Sequence, residues 1–263
     1  MDFQTIKISE LETGIFQISI DRPEKLNALN SQVVNELPDA VRQCDRDPAC
    51  RVIILTGEGG KSFIAGADMD AYAKMGPMQV REEYHDGFIA FLDALDACQK
   101  PIIGAVKGFA FGGGNIVAMY CDMVFATEDS KFGQQELGVG LIGGVTRLIY
   151  MVGYRRAMEL LLTGRIIKAP EAVEIGLINR CLPREEFDAY VLDFAKKLMG
   201  YPPLTLKMFR IAKKMYEKAP IQAASQYEFE LINMLSSTQG THDKLDAFVE
   251  KRPIAHTDKK YWP

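Results

Sequence analysis

At 263 residues, 48% of them hydrophobic and 25% charged, the chain has the composition of a globular protein long enough for one large domain or two small ones. A formal charge of −4, with basic residues scattered, argues against nonspecific nucleic-acid binding, which needs clustered Lys and Arg to neutralise phosphates. The five cysteines (Cys44, Cys50, Cys98, Cys121 and Cys181) are odd in number and lack paired spacing, which excludes a secreted disulfide framework and points to a reducing, cytoplasmic setting.

No basic-then-apolar leader opens the chain and no apolar run approaches ~20 residues, so neither a signal peptide nor a membrane-spanning helix is expected. The densest basic groups, Arg210/Lys213/Lys214 and Lys259/Lys260, read as solvated faces.

In chain order, FQTIKIS and GIFQISI are strand candidates with partial alternation, and ELETG between them is turn-prone. A helix follows, with Val33, Val34, Leu37, Val41 and Cys44 at helical spacing and Pro38 marking an expected kink. RVIILTG (51–57) is a nearly continuous β-branched run, as a strand covered on both faces would be. Phe88, Phe91, Leu92 and Leu95 stripe another helix, and PIIGAVKG (101–108) and MVFAT (123–127) are further buried strands. Strands alternating with helices argue for α/β layers. From about residue 145 the pattern is almost purely helical: Val145, Leu148, Ile149 and Val152 share a face, as do Phe187, Tyr190, Val191, Phe194 and Leu198, and later helices carry Leu204 to Tyr216 and Ile221 to Leu235. With no linker or repeat between the halves, the expectation is an α/β core over residues 1–184 and a helical region over 185–263 that folds back or packs on a neighbouring copy.

Two strand-to-helix passages are rich in small residues. GFAFGGGNIVAMYCD (108–122) places Gly112, Gly113 and Gly114 where a helix begins near Gly114. Glycines there serve positive φ or let something approach the main chain, and a helix start offers unpaired N–H groups with partial positive charge. The phosphate-loop pattern fails, because Gly108 to Gly113 is followed by Gly114 and Asn115 rather than Lys and Ser/Thr, and the G-x-G-x-x-G dinucleotide fingerprint is missing. A tight packing turn, or a main-chain site for a single oxyanion, remains. KSFIAGADMDAY (61–72), with Ala65, Gly66 and Ala67 at its bend, is a second such passage. Two bends aiming one N–H each at the same oxygen make an oxyanion hole.

DRPEKLNALN (21–30), FIAGADM (63–69), KPIIGAVKGFAFGGGN (100–115), CDMVFAT (121–127), FGQQELGVGLI (132–142) and LLTGRIIKAPEAVEIGLINRCL (161–182) resemble, in order, the successive signatures of the crotonase (enoyl-CoA hydratase/isomerase) superfamily. The resemblance covers the whole chain. It implies an α/β fold with a ββα-spiral core and a helical C-terminal trimerisation region, hence a homotrimer or a dimer of trimers. A coenzyme A thioester is then the substrate, with no separate cofactor and no nucleic-acid or membrane partner.

By the same resemblance, the N–H groups of Ala67 and Gly113 form the oxyanion hole, and Gly112 and Gly114 shape the turn. Lys25 and Leu26 touch the CoA nucleotide, and Ala65 and Ala67 hold the adenine through the main chain. Asp68, Met69, Asn115 and Ile116 complete the implied substrate contacts. In relatives a C-terminal lysine reaches a neighbour's CoA, for which Lys259 and Lys260 are the candidates.

Family hydratases carry two glutamates. This chain has the second, Glu136 in FGQQE, but Ile116 at the first, and an isoleucine cannot move a proton. The loop GLIGGVTRL (140–148) is also shorter than the usual family loop. Glu136 is expected to be a partly buried general acid/base with its pKa raised toward the working pH. Asn115 either orients a water or substrate carbonyl, or caps its helix. One base and one oxyanion hole suffice for shifting a double bond in an enoyl-CoA, the preferred reading, ahead of hydration of an unsaturated acyl-CoA. A non-catalytic CoA-thioester binder is the reading from a different class. His85, His242 and His256 read as exposed or capping, Tyr72 and Tyr84 as core packing ahead of pocket lining, and no ligand cluster argues for a metal.

Overall fold

The computed structural model describes residues 2–252. The first strands, β1 (Ile6–Glu12) and β2 (Ile15–Ile20), form an antiparallel hairpin. The segment expected as a turn is mostly strand: β1 runs on to Glu12 through a register shift between Glu10 and Glu12, and Glu10 accepts the Gly14 N–H at 3.0 Å across the short bend that remains. Helix α1 (Ser31–Arg46) starts on Asn30, whose side chain accepts from the Val33 N–H. It continues through Pro38 rather than ending there, held by the buried stripe Val33, Val34, Leu37, Ala40, Val41 and Cys44.

Strand β3 (Val52–Gly57) is buried along its whole length and leads to β4 (Ser62–Ile64). Short helices α2 (Met69–Tyr72) and α3 (Pro77–Gln79) and a π-helical stretch, Val80–His85, lead into α4 (Asp86–Ala97). Then come β5 (Ile102–Val106), β6 (Phe109–Phe111) and α5 (Gly113–Tyr120), followed by β7 (Met123–Thr127), β8 (Lys131–Gly133) and a 3-10 turn at Glu136–Val139.

The last part holds α6 (Val145–Val152), α7 (Tyr154–Thr163), β9 (Ile167–Lys168), α8 (Ala169–Glu174), β10 (Arg180–Leu182), α9 (Arg184–Met199), α10 (Pro203–Lys218), α11 (Ile221–Ser236) and α12 (Gln239–Val249). This half is therefore not purely helical. In β10 only Leu182 is buried, so the segment carries little apolar signal, and its identity as a strand comes from pairing with β7.

Two sheets result. The larger has the order β1-β2-β3-β5-β7-β10, parallel beyond the first hairpin; the smaller has the order β4-β6-β8-β9, with β9 antiparallel. Three times the chain lays a strand in the larger sheet and the next in the smaller, then leaves through a helical segment: β3–β4, β5–β6 and β7–β8. This is a ββα spiral. It sets the carboxyl ends of β4, β6 and β8 side by side, and those ends run into Ala65, Gly112 and Gln134.

Helix α9 covers the outer face of the larger sheet, with Phe187, Val191 and Ala195 packed on Ile15, Val52, Ile54, Ile103 and Phe125. Helix α10 is fastened by Arg210. The sequence reading placed this arginine on a solvated face, but it is 7% exposed: it donates to the Leu95 and Cys98 carbonyls at the end of α4 and pairs with Asp122. Around it, burial raises the Asp96 carboxyl, but the Lys218 hydrogen bond and the charges of Lys213 and Lys214 overcome this and leave it below its ordinary range. Farther out, Phe229 on α11 and Phe248 and Val249 on α12 are strongly exposed. No helix among the described residues is long and apolar enough to cross a membrane.

Candidate active site

Segment 26–29 runs beside the end of β4. The Ala65 N–H donates to the Leu26 carbonyl at 3.2 Å, Leu29 N–H to Gly66 at 2.8 Å, and Asp68 N–H to Leu29 at 2.8 Å, with Leu29 and Ala67 bridged in parallel. In such a ladder the residues on either side of Ala67 bond the neighbouring segment, so the N–H of Ala67 itself faces away from it. That amide has no acceptor among the described residues. The loop is held from behind by Asn27, fully buried, whose side chain bonds the Glu58 and Ser62 carbonyls and the Arg22 N–H.

The glycine run abuts this bend. Gly112 has φ +51° and ψ −118°, a conformation that suits glycine, and its N–H donates to the Gly133 carbonyl at 2.9 Å. Gly114 packs so closely on β4 that a Cβ there would stand 2.1 Å from the Ile64 carbonyl oxygen. Gly113 begins α5, one residue earlier than the sequence suggested, and its N–H is one of the groups a helix start leaves unpaired. Gly112 thus supplies the turn, Gly114 the close packing on β4, and Gly113 an unpaired amide at the start of α5.

Glu136 lies over Gly112: a Cβ on Gly112 would sit 3.1 Å from Glu136 Oε1, and one on Gly143 2.5 Å from the same atom. The carboxylate is half-buried. Its Oε1 accepts from Gln134 Nε2 at 2.9 Å, and its Oε2 is buried with no partner. Burial raises the Glu136 pKa, against the smaller opposing effects of hydrogen bonds from its own backbone and from Gln134. Gln134 is oriented in turn by Asn115, which donates from Nδ2 to Gln134 Oε1 at 2.8 Å. The Asn115 side chain therefore neither caps its helix nor reaches the bend directly; it holds the residue that holds Glu136. Its own Oδ1 is buried and unpartnered. Gln134 was not singled out in the sequence, although its place two residues before Glu136, at the end of β8, was the available signal.

The remaining candidates are spread around this centre. Ile116 is half-buried, with Cγ1 3.1 Å from the point a Cβ on Gly144 would take. Asp68 is occupied by Arg22 at 2.9 Å and by the Ala71 N–H at the start of α2, and Met69 is exposed. Burial works to raise the Asp68 carboxyl, but the Arg22 hydrogen bond and charge bring it below its ordinary range. Lys25 lies in the 3-10 turn Pro23–Lys25, 3.4 Å from the exposed Asp70, and Leu26 follows in the left-handed region at φ +52°. Lys259, Lys260 and His256 lie outside the described residues.

An aromatic group borders the centre. Phe88 Cζ is 3.5 Å from the point a Cβ on Gly113 would take, Tyr84 stacks on Phe88 at 6.4 Å, and Tyr72 meets Tyr84 edge-on at 5.4 Å. His85 is 3.2 Å from the Tyr72 hydroxyl. Between Glu136 and α6, the exposed side chains Leu137, Val139, Leu141 and Ile142 give the shortened loop an apolar rim. No group of three or more His, Cys, Asp or Glu among the described residues is placed to hold a metal ion.

The arrangement has known counterparts. Residues 10–259 match the enoyl-CoA hydratase/isomerase family. The chain is 36% identical over 250 residues to a short-chain-enoyl-CoA hydratase of Clostridium acetobutylicum, covering 94% of this chain and 95% of the relative. It is 37% identical over 248 residues to a crotonyl-CoA hydratase of Syntrophomonas wolfei, covering 93% and 95%. Its fold superposes on a crystal structure of an enoyl-CoA hydratase from Bacillus anthracis with a TM-score of 0.90 at 30% identity, covering 95% of this chain and 97% of that one. The chain belongs to the enoyl-CoA hydratase/isomerase family of the crotonase superfamily.

Proposed function

We propose that the protein adds water to a 2-unsaturated acyl-CoA, holding the thioester oxygen on the Ala67 and Gly113 N–H groups and moving one proton through Glu136. The observation that carries this is a half-buried carboxylate, raised in pKa and with one oxygen unpartnered, lying over the glycine turn that frees the Gly113 amide. Glu136 takes a proton from water as the water oxygen bonds C3. The π pair moves through C2 onto the thioester oxygen, where the two amides stabilise it. The protonated Glu136 then returns that proton to C2 as the enolate collapses, so one carboxyl group closes the cycle. The names of the relatives support hydration.

One observation favours a second reading. Ile116 leaves no second carboxylate beside Glu136, and a shift of the double bond from C3 to C2 needs only one base and one oxyanion hole. Turnover of a short 2-enoyl-CoA to a 3-hydroxyacyl product supports hydration; turnover of the 3-enoyl isomer alone supports the shift. Binding of both without turnover of either supports a non-catalytic CoA-thioester binder. The exposed aromatic and aliphatic side chains of α11 and α12 support a trimer or a dimer of trimers in which neighbouring copies cover them.

A further inference from the structure

Behind the relay that holds Glu136, two strands part. Strands β8 and β9 pair as far as Phe132 with Ile167, and the same register carried two residues on would oppose Gln134 to Arg165. The ladder stops before that point. Gln134 is 2% exposed, yet neither its main-chain N–H nor its C=O makes a hydrogen bond among the described residues. Buried main-chain groups are nearly always paired. Asn115, also 2% exposed, gives its Nδ2 to Gln134 and has its Oδ1 buried without a partner. Both residues line one cavity, walled otherwise by apolar side chains such as Leu148, Leu160 and Leu177 and by Arg165, whose guanidinium is taken by Glu159 and Glu171. The centre of a water molecule has about 10 Å³ there, the room that a single molecule needs.

We infer that one water molecule is built into this cavity, accepting the Gln134 N–H and donating to Asn115 Oδ1. The two open groups define the ligand. A simple anion has no hydrogen to give to Oδ1. A metal ion cannot accept from an N–H, and no carboxylate lines the cavity to balance its charge. Water does both, and is small enough. It joins the end of β8 to α5 and completes the bonding of the two residues that fix Glu136 Oε1. Buried water with two or more polar partners is as much a part of a fold as a side chain. The site is independent of which reaction Glu136 serves, so it stands or falls apart from the function proposed above.

The experiment is a crystal structure of the full-length protein at a resolution that shows ordered water, joined to deuteron relaxation dispersion of the solvent, which registers water held longer than the protein tumbles. The expected result is one peak in the cavity, within roughly 2.7–3.2 Å of both Asn115 Oδ1 and the Gln134 main-chain nitrogen. Asn115→Leu keeps the bulk but brings no acceptor, and an apolar cavity stays dry. In that variant the peak is lost and the dispersion amplitude falls by the contribution of one water. No peak in the unmodified protein, or a peak that reaches only one of the two atoms, overturns the proposal. A peak of undiminished height in Asn115→Leu overturns it too, since Oδ1 is then not what holds the water. Should Asn115→Leu fail to fold, the density in the unmodified protein decides alone.

Discussion

Asn115 Nδ2 donates to Gln134 Oε1 across 2.8 Å, and that bond decides which end of the Gln134 amide faces Glu136. With its oxygen taken by Asn115, Gln134 presents Nε2 to the carboxylate, fixing Glu136 Oε1 and leaving Oε2 open. The Glu136 carboxylate is thus set by a relay of two neutral amides, neither of which can exchange a proton with it.

Removing that relay changes the pH at which Glu136 works. The Gln134 hydrogen bond favours the ionised carboxylate, so Gln134→Met raises a pKa that burial has already lifted. The acid limb of the kcat/KM profile moves to higher pH. Asn115→Leu frees the Gln134 amide to turn and moves the limb the same way. Since both act on one bond, the double variant shifts it by less than the sum.

Glu136→Gln separates activity from stability. Turnover falls by about 10²–10⁴-fold as the general acid/base is lost, while thioester binding is kept. Because the folded carboxyl has the higher pKa, the folded chain binds this proton more readily than the unfolded one, and the ionised form weighs against folding once the pH exceeds the ordinary carboxylate range. The variant therefore has a higher melting temperature at pH 7–8 (~7.5), and the advantage disappears as the pH falls below that of an unperturbed glutamate (~4.3). Thermal denaturation at both pH values checks this.

The adjacent glycines fail differently. Gly114→Ala brings a methyl against the fixed Ile64 carbonyl oxygen and costs at least the ~1–3 kcal/mol of an overpacked core, read as lost soluble protein or a lowered denaturation midpoint. Gly113→Ala meets the movable end of Leu29 at 3.1 Å, so it folds. Its effect is on turnover, because the added methyl crowds the pocket beside the free amide.

Arg210→Met takes the guanidinium from the half-buried Asp122, which keeps the Ile102 N–H, and frees two carbonyls at the end of α4. The loss of stability is about 1–3 kcal/mol, measured by denaturant unfolding. Since Arg210 fastens α10 to the core, the same variant disturbs assembly. Light scattering on the unmodified protein is expected to give a multiple of the 29.4 kDa chain, and on Arg210→Met a mixture with smaller species.

Much of this protein is written locally. The buried strand runs, the helical stripes and the small residues at both bends are properties of neighbours in the chain, because backbone conformation and burial pattern repeat every two residues in a strand and every 3.6 or so in a helix. They made the α/β class and the two small-residue bends legible, while Glu136 as candidate acid/base came from the resemblance of FGQQE to the family motif. What the folded structure alone decided are pairings between distant residues. Asn115 meets Gln134 nineteen positions on, Arg210 reaches back 88 positions to Asp122, and β10 is a strand because β7 pairs with it. A polar side chain looks solvated in sequence whether its partner is water or a residue from another turn of the spiral. Only the packing of the layers tells the two apart, and it is that packing which buries Arg210 and aims Gln134 at Glu136.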